Sequence, residues 1–381
     1  MTVQAHTQYS EIALDHAQNA RNYGALSDFN GHARITGPCG DTMEFWLQIE
    51  EDVVRQIGFT TDGCASSHAC GSMTTELALN HTITEVLDIH QENVLHALGD
   101  FPEASAHCAL LATNTLHAAC KDYSDNQNLM RIRNKIVVLS GKGGVGKSTI
   151  ALNYAVSLMQ EGKRVGLLDV DIHGPSIPTM LGLENIPLES GTHGLIPVDW
   201  KGIKVMSIGF LLQSPDDAVI WRGPRKSAVI KEFLRDVDWG DLDYLIIDSP
   251  PGTGDELLSV FQLSGEIRGA IVVTTPQKIA AVDARKSITF CHQSQIPVLG
   301  VIENMNGFTC PKCGEITEIF PAGAGRRIAE EMKIPYLGSI PMDLRIARKA
   351  DEGMAFVIQN PQDFATQHMN QIFKQIHKEN T

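Results

Sequence analysis

Gly141-Lys-Gly-Gly-Val-Gly-Lys-Ser148 fits the GxxxxGK[ST] pattern, and the apolar run just before it, Lys135-Ile-Val-Val-Leu-Ser140, reads as a strand. Strand, glycine loop and following helix together define a phosphate-binding loop for ATP or GTP. The glycines let the backbone wrap a phosphate chain with its N–H groups, while the helix opening near Lys147 turns its positive dipole end toward the same anion. Lys147 is expected to reach the β and γ phosphates and Ser148 a magnesium ion, with Gly143, Gly144, Val145, Gly146 and Thr149 completing the cradle.

Downstream of the loop, short apolar runs alternate with helical patterns: 164–171, 204–210, 243–248, 270–274 and 297–302. This is the pattern of an α/β fold, a mostly parallel sheet covered by helices, with ligands bound outside the carboxyl ends of the strands. Upstream the pattern changes to strands at 43–49 and 53–59, then helical stretches near 71–80 and 108–122, which reads as a smaller α+β domain. Asp122-Tyr-Ser-Asp-Asn-Gln-Asn128 is polar and turn-rich, so a linker is placed at 123–132 between domains 1–122 and 133–381. At the far end, Phe364, Met369, Ile372, Phe373 and Ile376 recur near a helical period and predict an amphipathic helix docked on the protein itself.

Charge separates the two parts more sharply. Residues 1–130 carry 4 Lys and Arg against 17 Asp and Glu, leaving 27 against 28 for the rest of a chain whose net charge is -14. The acidic balance argues against nonspecific nucleic-acid binding, which needs basic surface to release counterions, and leaves open only a basic patch on the second part. The N-terminal stretch has neither a basic start nor an apolar core, and no run approaches the roughly 18 apolar residues of a membrane span, so a soluble, cytoplasmic protein is expected. In that setting the 8 cysteines are read as thiolate ligands or buried thiols, not disulfides.

A second lysine, Lys142, follows Gly141 directly, and the chain also contains Leu168-Asp-Val-Asp-Ile-His-Gly-Pro-Ser176 and Leu245-Ile-Ile-Asp-Ser-Pro-Pro-Gly-Thr-Gly254. With these motifs residues 131–381 resemble the deviant Walker A ATPases and, within them, the Mrp/Nbp35 iron-sulfur carriers. The resemblance implies that Lys142 reaches across a homodimer to the partner's phosphates. Asp171 would orient the attacking water, Asp248 would hold magnesium through its water shell, and Asn304 would contact adenine. Phosphoryl transfer, which is mostly positioning and charge neutralisation, fits that division of labour.

Cys310-Pro-Lys-Cys313 lies in a turn-forming segment, and two thiolates make only half of a four-ligand site. Cys291 falls on a helical pattern and reads as core, so the missing pair most simply comes from a second copy across a two-fold axis. A bridging [4Fe-4S] cluster, which the resemblance also implies, competes with a structural zinc site and with a redox dithiol.

Upstream, Gly37-Pro-Cys-Gly-Asp41, Thr61-Asp-Gly-Cys-Ala65 and Ala106-His-Cys108 bring three cysteines from separate segments. Over residues 8–122 the chain resembles the IscU/NifU scaffold domain, including Tyr9-Ser10 and Asp15-His16. That resemblance implies Cys39, Cys64 and Cys108 as ligands of a [2Fe-2S] or [4Fe-4S] cluster, Asp41 as the group that keeps it exchangeable, and His107 as a substitute ligand. Cys70 either joins the site or packs, and Cys120 reads as core. The scaffold's Leu-Pro-Pro-Val-Lys chaperone segment is here Phe101-Pro-Glu-Ala-Ser105, without the lysine. The attached ATPase is expected to replace that release step.

The combined expectation is an iron-sulfur assembly and carrier protein with slow ATP hydrolysis. It would serve apo-proteins as acceptors, with a cysteine desulfurase as candidate sulfur donor. Two rivals remain open: a MinD- or ParA-like switch ATPase with structural zinc, and an ATP-coupled electron-transfer reductase.

Overall fold

The computed structural model describes residues 9–191, 194–212, 221–310, 312–313, 315–359 and 361–378. The proline and glycine expected to shape the CxxC turn, at 311 and 314, lie outside the described residues, as do the first eight residues read for a leader and the acidic residue at 379. The chain divides into units spanning Met1–Gln127 and Asn128–Thr381.

The first unit runs α1 (Glu11–Gln18), β1 (Gly31–Thr36), β2 (Thr42–Glu50), β3 (Val53–Thr61), α2 (Ala65–Ala78), α3 (Ile83–Leu87), α4 (Gln91–Leu98) and α5 (Ala106–Met130). Its sheet is an antiparallel meander, β1-β2-β3. Along β2 every second residue, Met43, Phe45, Leu47 and Ile49, is buried, as a strand with one face on a core requires. The two residues between β2 and β3, Glu51 and Asp52, both take positive φ (50° and 59°), the conformation that matches hairpin twist. α2 packs on β3, so the two ends of this α+β unit share one core.

No linker loop forms at 123–132. Residues 123–130 complete α5, and Ile132 already opens the next strand. The stretch is polar but contains no glycine or proline, so nothing stops the helix. The Lys135 ammonium then donates to the Leu129 carbonyl at 2.9 Å, satisfying one of the open carbonyls at the helix end.

The second unit continues β4 (Ile132–Leu139), α6 (Lys147–Gln160), β5 (Val165–Asp169), α7 (Ile177–Leu181), β6 (Glu189–Gly191), β7 (Gly194–Ile196), β8 (Val198–Trp200) and β9 (Ile203–Ser207). Then come α8 (Gly223–Arg235), β10 (Leu242–Asp248), α9 (Asp255–Leu263), β11 (Gly269–Thr274), α10 (Lys278–Gln293), β12 (Val298–Thr309) and β13 (Ile316–Thr317). α11 (Ala324–Met332), β14 (Tyr336–Met342), α12 (Leu344–Asp351), α13 (Phe356–Gln359) and α14 (Phe364–Lys378) complete it.

Nine strands form the large sheet in the order β13-β12-β11-β4-β10-β5-β9-β8, with β14 also paired to β12. Only β8 and β13 run antiparallel to their neighbours. Helices cover both faces, which is why Ile136 to Leu139 are all fully buried. β5, β10 and β4 lie side by side, so the residues at their carboxyl ends meet at one edge of the sheet.

The tail helix docks as its period predicts, except that Phe364, its first residue, is 46 % exposed. Met369, Ile372, Phe373 and Ile376 are buried in the layer that contains α6, and the Tyr154 and Phe373 rings lie 5.1 Å apart. Phe373→Ala is expected to destabilise the chain by about 3–5 kcal/mol, the usual cost of truncating a buried phenylalanine, measured by urea unfolding.

Candidate nucleotide and thiolate sites

The phosphate loop leaves β4 and enters α6 through Gly144 and Gly146, whose φ values of 78° and 85° are ones that side chains rarely adopt. Space is also short. A Cβ on Gly146 would come within 2.2 Å of the Asn304 amide nitrogen, and one on Gly141 within 2.3 Å of the Asp283 backbone. The loop opens on a cavity of about 490 Å³, lined also by Lys142, Lys147, Ser148, Asp171 and His173.

Lys147 is 6 % exposed and donates to Asp248 Oδ1 at 2.6 Å, with Asp171 Oδ2 at 3.7 Å. Burial opposes its charge, but Asp248, Asp171 and Asp169 outweigh that and hold its pKa above the ordinary lysine value. Asp248 is fully buried at the end of β10, and its Oδ2 takes no hydrogen bond among the described residues. An orphaned carboxylate oxygen beside Ser148 and a phosphate cradle fits a hydrated magnesium ion.

Asp169, which the sequence reading passed over, closes the cluster from the end of β5. It accepts hydrogen bonds from the Asp171 and Ile177 N–H groups and from Ser207 Oγ. Burial, with the field of Asp248 added, pushes it up to about 7. Its position two residues before Asp171, at the last buried place of an apolar strand, was the available signal.

The other expected nucleotide contacts are placed as follows. Lys142 is half-buried and donates to Gln277 Oε1 at 3.2 Å. Asn304 is nearly buried and points its amide at the loop itself, donating to the Val145 carbonyl at 2.8 Å.

Cys310 and Cys313 lie where β12 turns back into β13, at the edge of the sheet. Cys310 is half-buried and Cys313 exposed, and the backbone N–H groups of Cys313 and Lys312 hold the Cys310 thiol below its usual pKa. Among the described residues no third metal-ligating side chain joins them.

In the first unit Asp41, Cys64 and Cys108 bring their ligand atoms within 4.8 Å of one another. The Ser67 hydroxyl stands among them, 2.8 Å from Asp41 Oδ2 and 3.4 Å from Cys108 Sγ. His107 Nε2 is 3.6 Å from Cys108 Sγ. Cys39 stays on an exposed turn outside this group, and Cys70 and Cys120 are fully buried core. Cys64 sits at the N-cap of α2. Burial works against its thiolate, but the N–H and hydroxyl groups of Ser67 and Ser66 outweigh it and bring its pKa below the ordinary value. Burial pushes Cys108 the other way, up to about 11.

A family model described as the NUBPL iron-transfer P-loop NTPase matches residues 131–377, and one described as the NifU-like N-terminal domain matches residues 8–129. An iron-sulfur cluster carrier protein of Methanocaldococcus jannaschii is 49 % identical over 63 % of this chain and 83 % of its own length. The cytosolic Fe-S cluster assembly factor NUBP2 of Mus musculus is 45 % identical over 68 % and 97 %. Among solved structures, a nucleotide-binding protein from Archaeoglobus fulgidus in complex with ADP aligns with a TM-score of 0.55 and 43 % identity, covering 61 % of this chain and 91 % of that one. No helix among the described residues is long and apolar enough to cross a membrane.

The opposed thiol environments predict an order of reactivity. At pH 8, iodoacetamide is expected to modify Cys64 at least tenfold faster than Cys108. The Cys108 rate should keep rising with pH toward about 11. Peptide-resolved mass spectrometry checks both.

Proposed function

Because the chain belongs to the NUBPL family of iron-transfer P-loop NTPases, and carries a NifU-like domain ahead of it, we propose that it assembles and carries iron-sulfur clusters, delivering them to apo-proteins under the control of ATP. One observation carries this reading. The same chain gathers the potential ligand atoms of Asp41, Cys64 and Cys108 within 4.8 Å of one another, and carries a turn whose two thiols, Cys310 and Cys313, gain no third metal-ligating side chain among the described residues. His107, whose Nε2 lies 3.6 Å from Cys108 Sγ, is the neighbour placed to join the first site as cargo arrives, and Cys39 would join it from its exposed turn.

In the nucleotide site, Lys147 is now neutralised by Asp248. The β and γ phosphates of ATP present more negative charge than that one carboxylate, so the ammonium turns to them and releases Asp248. Ser148 and the freed Asp248 would hold a magnesium ion, which would supply charge neutralisation at the phosphates. Asp171, at the mouth of the cavity, positions the attacking water, and Lys142 reaches the phosphates of a second copy. Hydrolysis in this scheme is slow, since it times release. Nucleotide controls the cargo only through different affinities for the holding and releasing forms of a homodimer. That dimer closes the Cys310–Cys313 site with four sulfurs around a [4Fe-4S] cluster, and the working location is the cytoplasm.

The test is anaerobic reconstitution with iron and sulfide, followed by desalting and analysis of iron and acid-labile sulfide per chain. Stoichiometric sulfide is expected, lost in part by Cys310→Ser and in part by Cys64→Ser. Tightly held zinc without sulfide would replace this reading with that of a switch ATPase holding structural metal.

A further inference from the structure

We propose that Asn304 is a positioning residue for phosphate binding, and that the strand bearing it couples the nucleotide site to the Cys310–Cys313 turn. The second half rests on the carrier reading above.

Asn304 fixes one particular peptide group. Its amide donates to the Val145 carbonyl at 2.8 Å. In a planar trans peptide the C=O and the next N–H point in opposite directions. A carbonyl drawn outward to Asn304 therefore turns the Gly146 N–H inward, and Gly146 lines the cavity. The close approach also explains the glycine, since a Cβ there would strike the Asn304 amide and come within 3.9 Å of the Met305 methyl. Anion bound to the Gly146 N–H polarises the same peptide and strengthens its carbonyl as an acceptor for Asn304.

Beyond Asn304 the strand changes character. Its register with β14 shifts between Asn304 and Phe308, and within that step Met305 and Gly307 take positive φ of 58° and 79°. On the side nearer the core, Glu303 is fully buried and pinned. Its carboxylate accepts from the Gly325 N–H and from Tyr336 Oη, and Asn306 folds back onto it across the bulge. On the far side Phe308 pairs with Met342 of β14, and Phe308 and Thr309 pair with β13, before Cys310 begins the turn. A rigid anchor, a bulge with a non-glycine residue in the left-handed region, and a short hairpin follow one another within eight residues, Glu303 to Cys310. A bulge aims the segment beyond it, and its backbone angles are the soft coordinate between two fixed ends. Asn304 sits on the first fixed end and touches the phosphate loop. A change in the loop is thereby transmitted to the angle at which the hairpin presents its two thiols, and by reciprocity the state of the thiols biases the affinity for nucleotide.

The experiment uses the full-length protein without metal. Alkylation rates of Cys310 and Cys313 by iodoacetamide are followed by peptide mass spectrometry, with and without saturating ADP or a non-hydrolysable ATP analogue. Nucleotide affinity is measured by calorimetry. Nucleotide is expected to change the thiol rates of the unmodified chain fivefold or more, the lower end of typical coupling. Asn304→Asp removes the donor and sets a carboxylate against the Val145 carbonyl, so affinity should fall about tenfold and the nucleotide effect should vanish even at saturation. Gly307→Ala should keep affinity within about twofold yet lose the effect, because its φ of 79° disfavours alanine and resets the bulge. If the aspartate variant does not fold, Asn304→Ala gives the same reading. A smaller change than fivefold in the unmodified chain, or an undiminished one in Gly307→Ala, overturns the coupling. Wild-type nucleotide affinity in the Asn304 variants overturns the positioning role. Alkylation needs no cluster, so failure here is distinct from failure of the carrier reading, which the sulfide analysis decides.

Discussion

Lys147 keeps an ammonium group almost wholly buried, 2.6 Å from Asp248 and within the field of Asp171 and Asp169. A buried cation of this kind persists only with well-placed counter-charge, and removing one partner of such a pair typically costs about 3–5 kcal/mol. The sheet supplies the counter-charge. β4, β10 and β5 are adjacent and parallel, so the loop after β4, the last residue of β10 and the last residue of β5 converge without further construction. Strand order is thus the reason one lysine meets three acids.

That arrangement leaves an excess of negative charge that Lys147 offsets only partly. Asp169 responds by holding its proton up to about pH 7, and Asp248 keeps one oxygen without a partner. A divalent cation with a triphosphate resolves both conditions at once, since the phosphates take the lysine and the cation takes the carboxylate. The electrostatics of the site thus suit a metal-nucleotide pair.

Much of this could be read in the chain. The glycine loop, the strand before it and the acids after two later strands are local signals, and local signals survive folding. β14 escaped because its apolar run, Tyr336–Met342, is interrupted by Gly338, Ser339 and Pro341, and it forms a strand only by pairing with β12. The expected linker failed for the opposite reason, because polarity suggested a loop where the absence of glycine and proline let a helix continue. Asp169 and Asp171 stand two residues apart, and nothing local says that the first is sealed at the strand end while the second faces the cavity. Asn304, expected at adenine, donates its amide to the Val145 carbonyl of the loop, a contact across 159 residues of sequence that no local pattern announces.

The two thiolate sites follow from burial in a comparable way. Cys70, Cys120 and Cys291 are sealed in cores and join no group of potential ligand atoms among the described residues, Cys108 is buried beside Asp41 and Cys64, and Cys39, Cys64 and Cys313 are exposed. Within the first site the two cysteines that meet Asp41 are unlike. Helix-end N–H groups favour the thiolate of Cys64, whereas burial holds Cys108 as a thiol up to about pH 11. A thiophilic cation that takes both sulfurs must displace the proton of Cys108, and the work of doing so is subtracted from its affinity. One sulfur is therefore ready and the other reluctant, so a cation drawn to this group would meet Cys64 first and would be held less tightly than by two free thiolates.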